Sequence, residues 1–392
     1  MNRVRIRELR LRNFRSFADA RLVLEDVTFL VGRNGAGKST LMDAFAFISE
    51  TVSDSLATAL ERRGGLTTLM NRSMAARMQR SGPYSVSIAV RLEVEDNPSV
   101  LYGFTMKGLP GGKGDLVRQE YLVGDPRASF RRDGDCFVPN TVSLKPIIKK
   151  GSLILPLIAG SNALWEAILL ALRNISVYQL SPPAIRHEPE IESESRLRRD
   201  GRNAGDVLKH LKPVDRRWID TYLAAAISGL RGVQASARTG RRVLLFEQNG
   251  DGDKTYHYDS SMMSDGTLRI LGTLLALRQS PRPSIVMLDE IEDSLHPFAH
   301  GVILDAIDDM RGEFPIVVST HSPELLNHPT ARGERIRVIQ WQGGESRIFR
   351  LSENVRANLK PPLTVGQLLR SNALWTDEEP STAGSEDDFF QP

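Results

Sequence analysis

Val27-Thr28-Phe29-Leu30-Val31 runs directly into Gly32-Arg33-Asn34-Gly35-Ala36-Gly37-Lys38-Ser39, and that junction decides the fold. A strand that ends in G-x-x-x-x-G-K-[ST] and opens a helix is a phosphate-binding loop. Its glycines let successive backbone N–H groups turn inward on phosphate oxygens. The helix that follows, from Ser39 to about Ser49, adds the positive end of its dipole. Asn34, Gly35, Ala36, Gly37, Lys38, Ser39 and Thr40 are the candidate phosphate contacts. Lys38 reaches the β- and γ-phosphates, and the Ser39 hydroxyl is a candidate Mg²⁺ ligand. The pattern predicts a chain that binds a nucleoside triphosphate.

A second element sits far downstream. Ile285-Val286-Met287-Leu288 is apolar throughout and ends in Asp289-Glu290. A buried parallel strand of this kind delivers both carboxylates to the carboxyl edge of its sheet, where ligands bind. Apolar runs ending in Asp-Glu are common, and the phosphate loop upstream gives this one its meaning. Asp289 is then a candidate Mg²⁺ ligand and Glu290 the candidate group that polarises an attacking water. Met263-Ser264-Asp265-Gly266-Thr267 precedes that strand at the start of a helical stretch. Ser264 and Gly266 offer a hydroxyl and bare N–H groups to an anion. An ordinary N-cap explains the same residues equally well. Pro315 to Ser319 reads as another buried strand, followed by Thr320-His321. His296 and His300 stand at i, i+4, but no Glu lies between them and no third ligand is evident, so they read as a helix start.

Composition sets the bounds. The 392 residues, 41% apolar and 25% charged, fit an ordinary globular protein with room for two or three domains. No run approaches the ~18 apolar residues of a membrane span, and the first residues lack a signal peptide's apolar segment. The single Cys136 excludes internal disulfides, so a cytoplasmic protein is expected. The net charge of +3 hides an asymmetry, because residues 376–392 hold six acids and no Lys or Arg, which leaves +9 on the rest. Arginines gather at Arg3/Arg5/Arg7/Arg10/Arg12, at Arg196/Arg198/Arg199/Arg202 and at Arg238/Arg241/Arg242. Such clusters attract nucleic acid, and solvated strand edges look the same.

Periodicity divides the chain. Val4 to Phe14 alternates as a half-buried strand, with a parity slip that predicts a bulge at Arg7-Glu8. Ser85 to Glu95, Val100 to Met106 and Leu116 to Val123 read as antiparallel strands. Ala163 to Arg173, Ala204 to Leu211 and Pro213 to Leu230 read as helices. Strand pattern returns between Val233 and Tyr258, and the last third is α/β, closing with a hairpin around Gly343-Gly344. The expected fold is an α/β P-loop NTPase assembled from both ends of the chain. Residues 1–80 and 261–375 form the two halves of its head, 81–260 an inserted sheet and helical region, and 376–392 a disordered acidic tail.

Together these residues resemble the ABC-type ATPases of the RecF and structural-maintenance-of-chromosomes (SMC) class, closest to compact prokaryotic AAA family ATPases with RecF-like heads. The resemblance rests on Asn13-Phe14-Arg15-Ser16-Phe17, Gly32 to Thr40, Ser264-Asp265-Gly266-Thr267, Asp289-Glu290 with Leu295-His296-Pro297, and His321. It continues through Tyr178, Asp200-Gly201, Asn203 and Leu368-Leu369-Arg370, about the first 375 residues. It implies ATP and Mg²⁺, and a homodimer in which two heads sandwich the nucleotide. Ser264 and Gly266 of one head then cap the γ-phosphate held by the other, while Lys38, Glu290 and His321 support hydrolysis. DNA and a separately encoded effector such as a nuclease are the implied partners, in antiviral defence or genome maintenance. RecF-like repair and a non-hydrolysing scaffold are the alternatives.

The departures also inform. Asp265 stands where transporter signatures carry a first Gly, and His296 where they carry Asp, so a transporter is not expected. The span between the two halves lacks a heptad pattern. Only about 70 residues follow His321 here, so a nuclease domain is not expected in this chain. Gln179 and Gln119 both compete for the Q-loop position.

Overall fold

The computed structural model describes residues 3–71, 85–95, 97–108, 115–139, 151–187, 189–191, 195–251, 254–359, 363–371, 374, 376 and 379–384. Its first strands are β1 (Val4–Phe14), β2 (Phe17–Val23), β3 (Val27–Val31), β4 (Ser85–Val94), β5 (Val100–Gly108), β6 (Asp115–Val123), β7 (Phe130–Asp133) and β8 (Cys136–Pro139). Then come β9 (Ile175–Tyr178), β10 (Leu230–Arg238), β11 (Arg241–Asn249), β12 (Thr255–Asp259), β13 (Ile285–Leu288), β14 (Ile316–Thr320), β15 (Ile336–Gln342) and β16 (Glu345–Arg350).

They form three sheets. The functional one has the order β16-β15-β3-β14-β13-β9. Its members pair in parallel except for the β15–β16 hairpin. Both faces are covered, which is why its strands read as continuous apolar runs. Leu30, Met287 and Val317 face one core; Phe29, Val286 and Val318 face the other. Into the first core packs the helix Lys38–Ser53 through Leu41, Phe45, Phe47 and Ile48. Against the second lie the helices Ala204–His210, Pro213–Ala226, Asp265–Arg278 and Pro297–Asp309.

The antiparallel sheet, order β2-β1-β4-β5-β6-β7-β8, closes over the other side of the Lys38 helix. Phe47 of that helix sits 6.2 Å from the Phe14 ring and 6.4 Å from the Phe104 ring. The opening strands therefore belong to the same sheet as the expected 85–123 strands. The predicted bulge appears as a register shift against β4 between Ile6 and Glu8.

Two sequence expectations need correction. β9 lies within 81–260 yet pairs with β13 as the edge of the parallel sheet. A four-residue apolar run carries no period that would assign it to a sheet. The tail also departs from disorder over 379–384. Ser381 donates its N–H to the Ile348 carbonyl at 2.7 Å and accepts from the Arg21 N–H at 3.0 Å, and Ala383 is buried. The edges of β2 and β16 offer unpaired backbone groups, and this segment satisfies them. Thr376 also bridges to Leu351, and the remaining tail residues and the 80/81 boundary lie outside the described residues.

One buried carboxylate organises the antiparallel sheet. Glu120 accepts from Tyr102 Oη at 3.0 Å and from the Leu155 N–H at 2.9 Å, and also from the Ile154 N–H. It thus caps the helix Leu155–Ile158 from a neighbouring strand. Glu120→Ala leaves three donors unpaired in the core and is expected to cost about 3 kcal/mol, read as a lowered urea midpoint. Glu120→Gln keeps one acceptor oxygen and should lose less.

Candidate active site

The carboxyl ends of β3, β14 and β13 lie side by side, because all three strands run parallel. From β3 the chain turns through Gly35 (φ +77°) and Gly37 (φ +117°) into the Lys38 helix. A side chain at Gly37 would also place its Cβ 2.5 Å from Ser346 Oγ, so only glycine fits. Lys38 is 5% exposed, and its ammonium donates to the Gly32 carbonyl at 2.7 Å and the Arg33 carbonyl at 3.3 Å. Burial pushes its pKa down, against the pull of Glu290, Asp289 and Glu292. Asn34 and Gly35 are exposed on the loop, Ala36 is buried, and Thr40 donates its N–H to the Gly37 carbonyl.

At the end of β13, Asp289 Oδ2 lies 3.4 Å from Ser39 Oγ, across 250 residues of sequence. Ser319, at the end of β14, ties the two acids together. Its hydroxyl donates to Asp289 Oδ1 and accepts the Glu290 N–H at 3.1 Å. Glu290 takes a left-handed backbone, φ +46°, directly after the strand. Its pKa is raised by burial and by the neighbouring Asp289 and Asp293 charges. His321 Nδ1 lies 3.8 Å from Glu290 Oε1. Lys38, Ser39, Asp289, Glu290 and His321 thus converge on one edge of the sheet.

Sequence reasoning missed three residues that organise this edge. Ser319 is one. Glu292 is buried, accepts from Thr320 Oγ1 at 2.7 Å and from the His321 N–H at 2.9 Å, and stands 3.4 Å from His321 Nδ1. Arg269 is buried and reaches the Glu290 carbonyl at 3.4 Å. Only Glu292, an acid two residues after Glu290, left a trace in the sequence. Of the two glutamines, Gln179 follows β9 on this same edge, while Gln119 lies in β6.

Ser264 and Gly266 stand elsewhere. Ser264 caps the helix Asp265–Arg278, accepting the Thr267 N–H at 3.1 Å. Gly266 admits the Ser294 carbonyl, which would lie 2.8 Å from a Cβ there. No hydrogen bond among the described residues joins either one to the loop Gly32–Ser39. His296 caps its own helix and His300 is buried beyond it, so the two do not form a metal pair.

Residues 173–327 match the family described as "AAA domain, putative AbiEii toxin, Type IV TA system", and residues 5–102 match the "AAA ATPase domain" family. No curated protein matches the chain. Among solved structures it is similar to an SmcHead bound to the C-winged helix domain of ScpA. That match has a TM-score of 0.56 and 16% identity, and covers 90% of this chain and 99% of that one. It is also similar to the Pyrococcus furiosus Smc head domain with an extended coiled coil, bound to the C-terminal domain of ScpA. There the TM-score is 0.54 and the identity 13%, over 91% and 98% of the two chains. The chain has the fold of an SMC/RecF-like ABC-type ATPase head.

In this head the motif Asn13 to Phe17 is the turn between β1 and β2. Arg15 pairs with Asp43 of the Lys38 helix at 3.1 Å, and the Ser16 carbonyl accepts the Ser346 N–H at 2.7 Å. The first arginine cluster is largely taken up inside the head. Arg7 pairs with Asp26 and Glu93, Arg10 with Glu8, and Arg12 donates to the Gly384 carbonyl. Arg196 and Arg242 are likewise engaged, by the Arg173 carbonyl and by Asp206. Arg238 is exposed at the β10–β11 turn. No helix among the described residues is long and apolar enough to cross a membrane.

Proposed function

We propose that the chain is an ATP-hydrolysing switch that dimerises around its nucleotide and passes the change in shape to a separately encoded effector. The observation that carries this reading is the division of the site. Lys38, Ser39, Asp289, Glu290 and His321 converge, whereas exposed Ser264 makes no bond to its own phosphate loop. A corner that offers an N-terminal helix end, yet does not reach its own loop, suits the nucleotide of a second copy. The segments that meet at Gly266 also expose Met262 (68%) and Phe298 (65%), apolar surface that a second head would cover.

Ser39 Oγ and Asp289 Oδ2 are hard oxygen donors close enough to share one ion, which fits Mg²⁺. Bound there, Mg²⁺ would neutralise charge on the β- and γ-phosphate oxygens. Lys38 leaves its two loop carbonyls to hold the same phosphates. Glu290 accepts a proton from water as the water oxygen attacks the γ-phosphorus and the bond to the ADP oxygen breaks. His321, beside Glu290, orients that water, and Glu292 holds the His321 backbone in place.

The family description matched by 173–327 supports a role in defence, and the +9 charge outside the tail supports a nucleic-acid trigger. Light scattering tests the dimer: ATP with Mg²⁺ is expected to convert monomer to dimer, and ADP to reverse it. Turnover measured with double-stranded, gapped and single-stranded DNA should rise with one form. Indifference to every form removes nucleic acid from the reading and leaves the effector. Absence of turnover would leave ATP as the glue of a scaffold.

A further inference from the structure

We propose that Trp341 is the platform on which the purine base of the bound nucleotide stacks. The inference rests on the phosphate-loop reading above and extends it to the nucleoside end. The terminal phosphate is drawn toward Lys38, Asp289 and Glu290, on the β14 and β13 side of β3. The other neighbour of β3 is β15, so the nucleoside points toward β15.

β15 overruns β3 at that edge. Val338 pairs with Val31, the last residue of β3, so Ile339 to Gln342 continue beside the loop that starts at Gly32. The approach is close, since a Cβ on Gly32 would lie 2.4 Å from the Ile339 carbonyl oxygen. A cavity of about 990 Å³ opens here, lined by Gly32 to Ala36, Gln340, Trp341 and Arg370 among others. In it Trp341 is 57% exposed, a large aromatic surface with little covering it.

The hairpin register says which way Trp341 faces. It pairs with Ser346 across β15–β16, and directly opposed residues share a face. Ser346 Oγ points at the last loop glycine, 2.5 Å from where a Gly37 Cβ would be, and Ser16 Oγ lies 3.1 Å from the same point. Ser346 is 1% exposed, and both hydroxyl oxygens are buried without a hydrogen-bond partner. Buried hydroxyls without partners are costly unless something polar fills their valences. Beside them on the same face stands an indole ring. The two hydroxyls are enclosed behind the loop, whereas the indole stands in the open cavity beside Gly32 to Ala36, where a base joined to loop-bound phosphates would lie.

Calorimetric binding of Mg²⁺–ATP and of inorganic tripolyphosphate separates this from the parent reading. Trp341→Ala is expected to weaken ATP binding about ten- to a hundredfold and leave tripolyphosphate unchanged, because stacking acts on the base alone. Trp341→Phe should recover most of the loss. Unchanged ATP affinity in Trp341→Ala, or an equal loss for tripolyphosphate, would overturn the assignment while the phosphate loop stood. Lys38→Ala should lose both ligands. If it kept them, the phosphate-loop reading itself would fall. The side chain is exposed, so Trp341→Ala should melt within a few degrees of wild type.

Discussion

Glu290→Gln is expected to cut ATP turnover at least about a hundredfold while ATP affinity stays within a few-fold of wild type. The substitution keeps shape and removes basicity. The bond that fixes residue 290 runs from its backbone N–H to Ser319 Oγ, so the amide leaves it intact. Its left-handed φ of +46° is no harder for Gln than for Glu. The raised pKa of Glu290 makes it a stronger base than an exposed carboxylate. With hydrolysis blocked, ATP stays bound, and the dimer should persist on a sizing column. Single-turnover kinetics and equilibrium binding check the two halves separately. Unchanged turnover would move the base elsewhere; a mutant that stays monomeric at saturating ATP would end the dimer reading.

What could be read from the sequence was what repeats a spacing or ends a run. The phosphate loop needs its glycines and lysine at fixed offsets, so Gly32 to Ser39 stood out, and Asp289-Glu290 stood out as acids at the end of an apolar strand. The hairpin around Gly343-Gly344 and the 85–123 strands were legible because period two and turn residues agree there. Ser319 and Glu292 were not legible, because a hydroxyl or acid that holds its neighbours has no spacing of its own. Only the fold brings Ser319 from β14 to the acids of β13. The surroundings of the arginines were hidden for the converse reason. A sequence shows the charge of Arg7 and Arg10 but not the Asp26, Glu93 and Glu8 carboxylates that absorb it. The docked tail was hidden too, since backbone pairing of Ser381 with Ile348 and Arg21 leaves no mark on side-chain composition.

The N-cap and the γ-phosphate roles of Ser264, which the sequence could not separate, are separable by experiment. Ser264→Asp keeps a good N-cap, so the helix Asp265–Arg278 should lose almost no stability. It also sets a negative charge where a partner's γ-phosphate would rest, and should abolish ATP-dependent dimerisation and turnover. A residue that only caps its helix would tolerate the change. Lys38→Ala fails for the opposite reason: it cannot hold ATP, but its own Ser264 corner is intact. Each variant alone should be nearly inactive. Mixed in equal amounts, they can form one complete site, with the phosphate loop of the Ser264→Asp chain facing the corner of the Lys38→Ala chain. Neither variant pairs with itself around ATP, so the dimers in such a mixture are heterodimers with one complete site of two, and recovery of up to about half of wild-type turnover is expected for a two-fold symmetric pair. A single chain working alone predicts no recovery at any ratio. Restored turnover would therefore show that one molecule completes the active site of another.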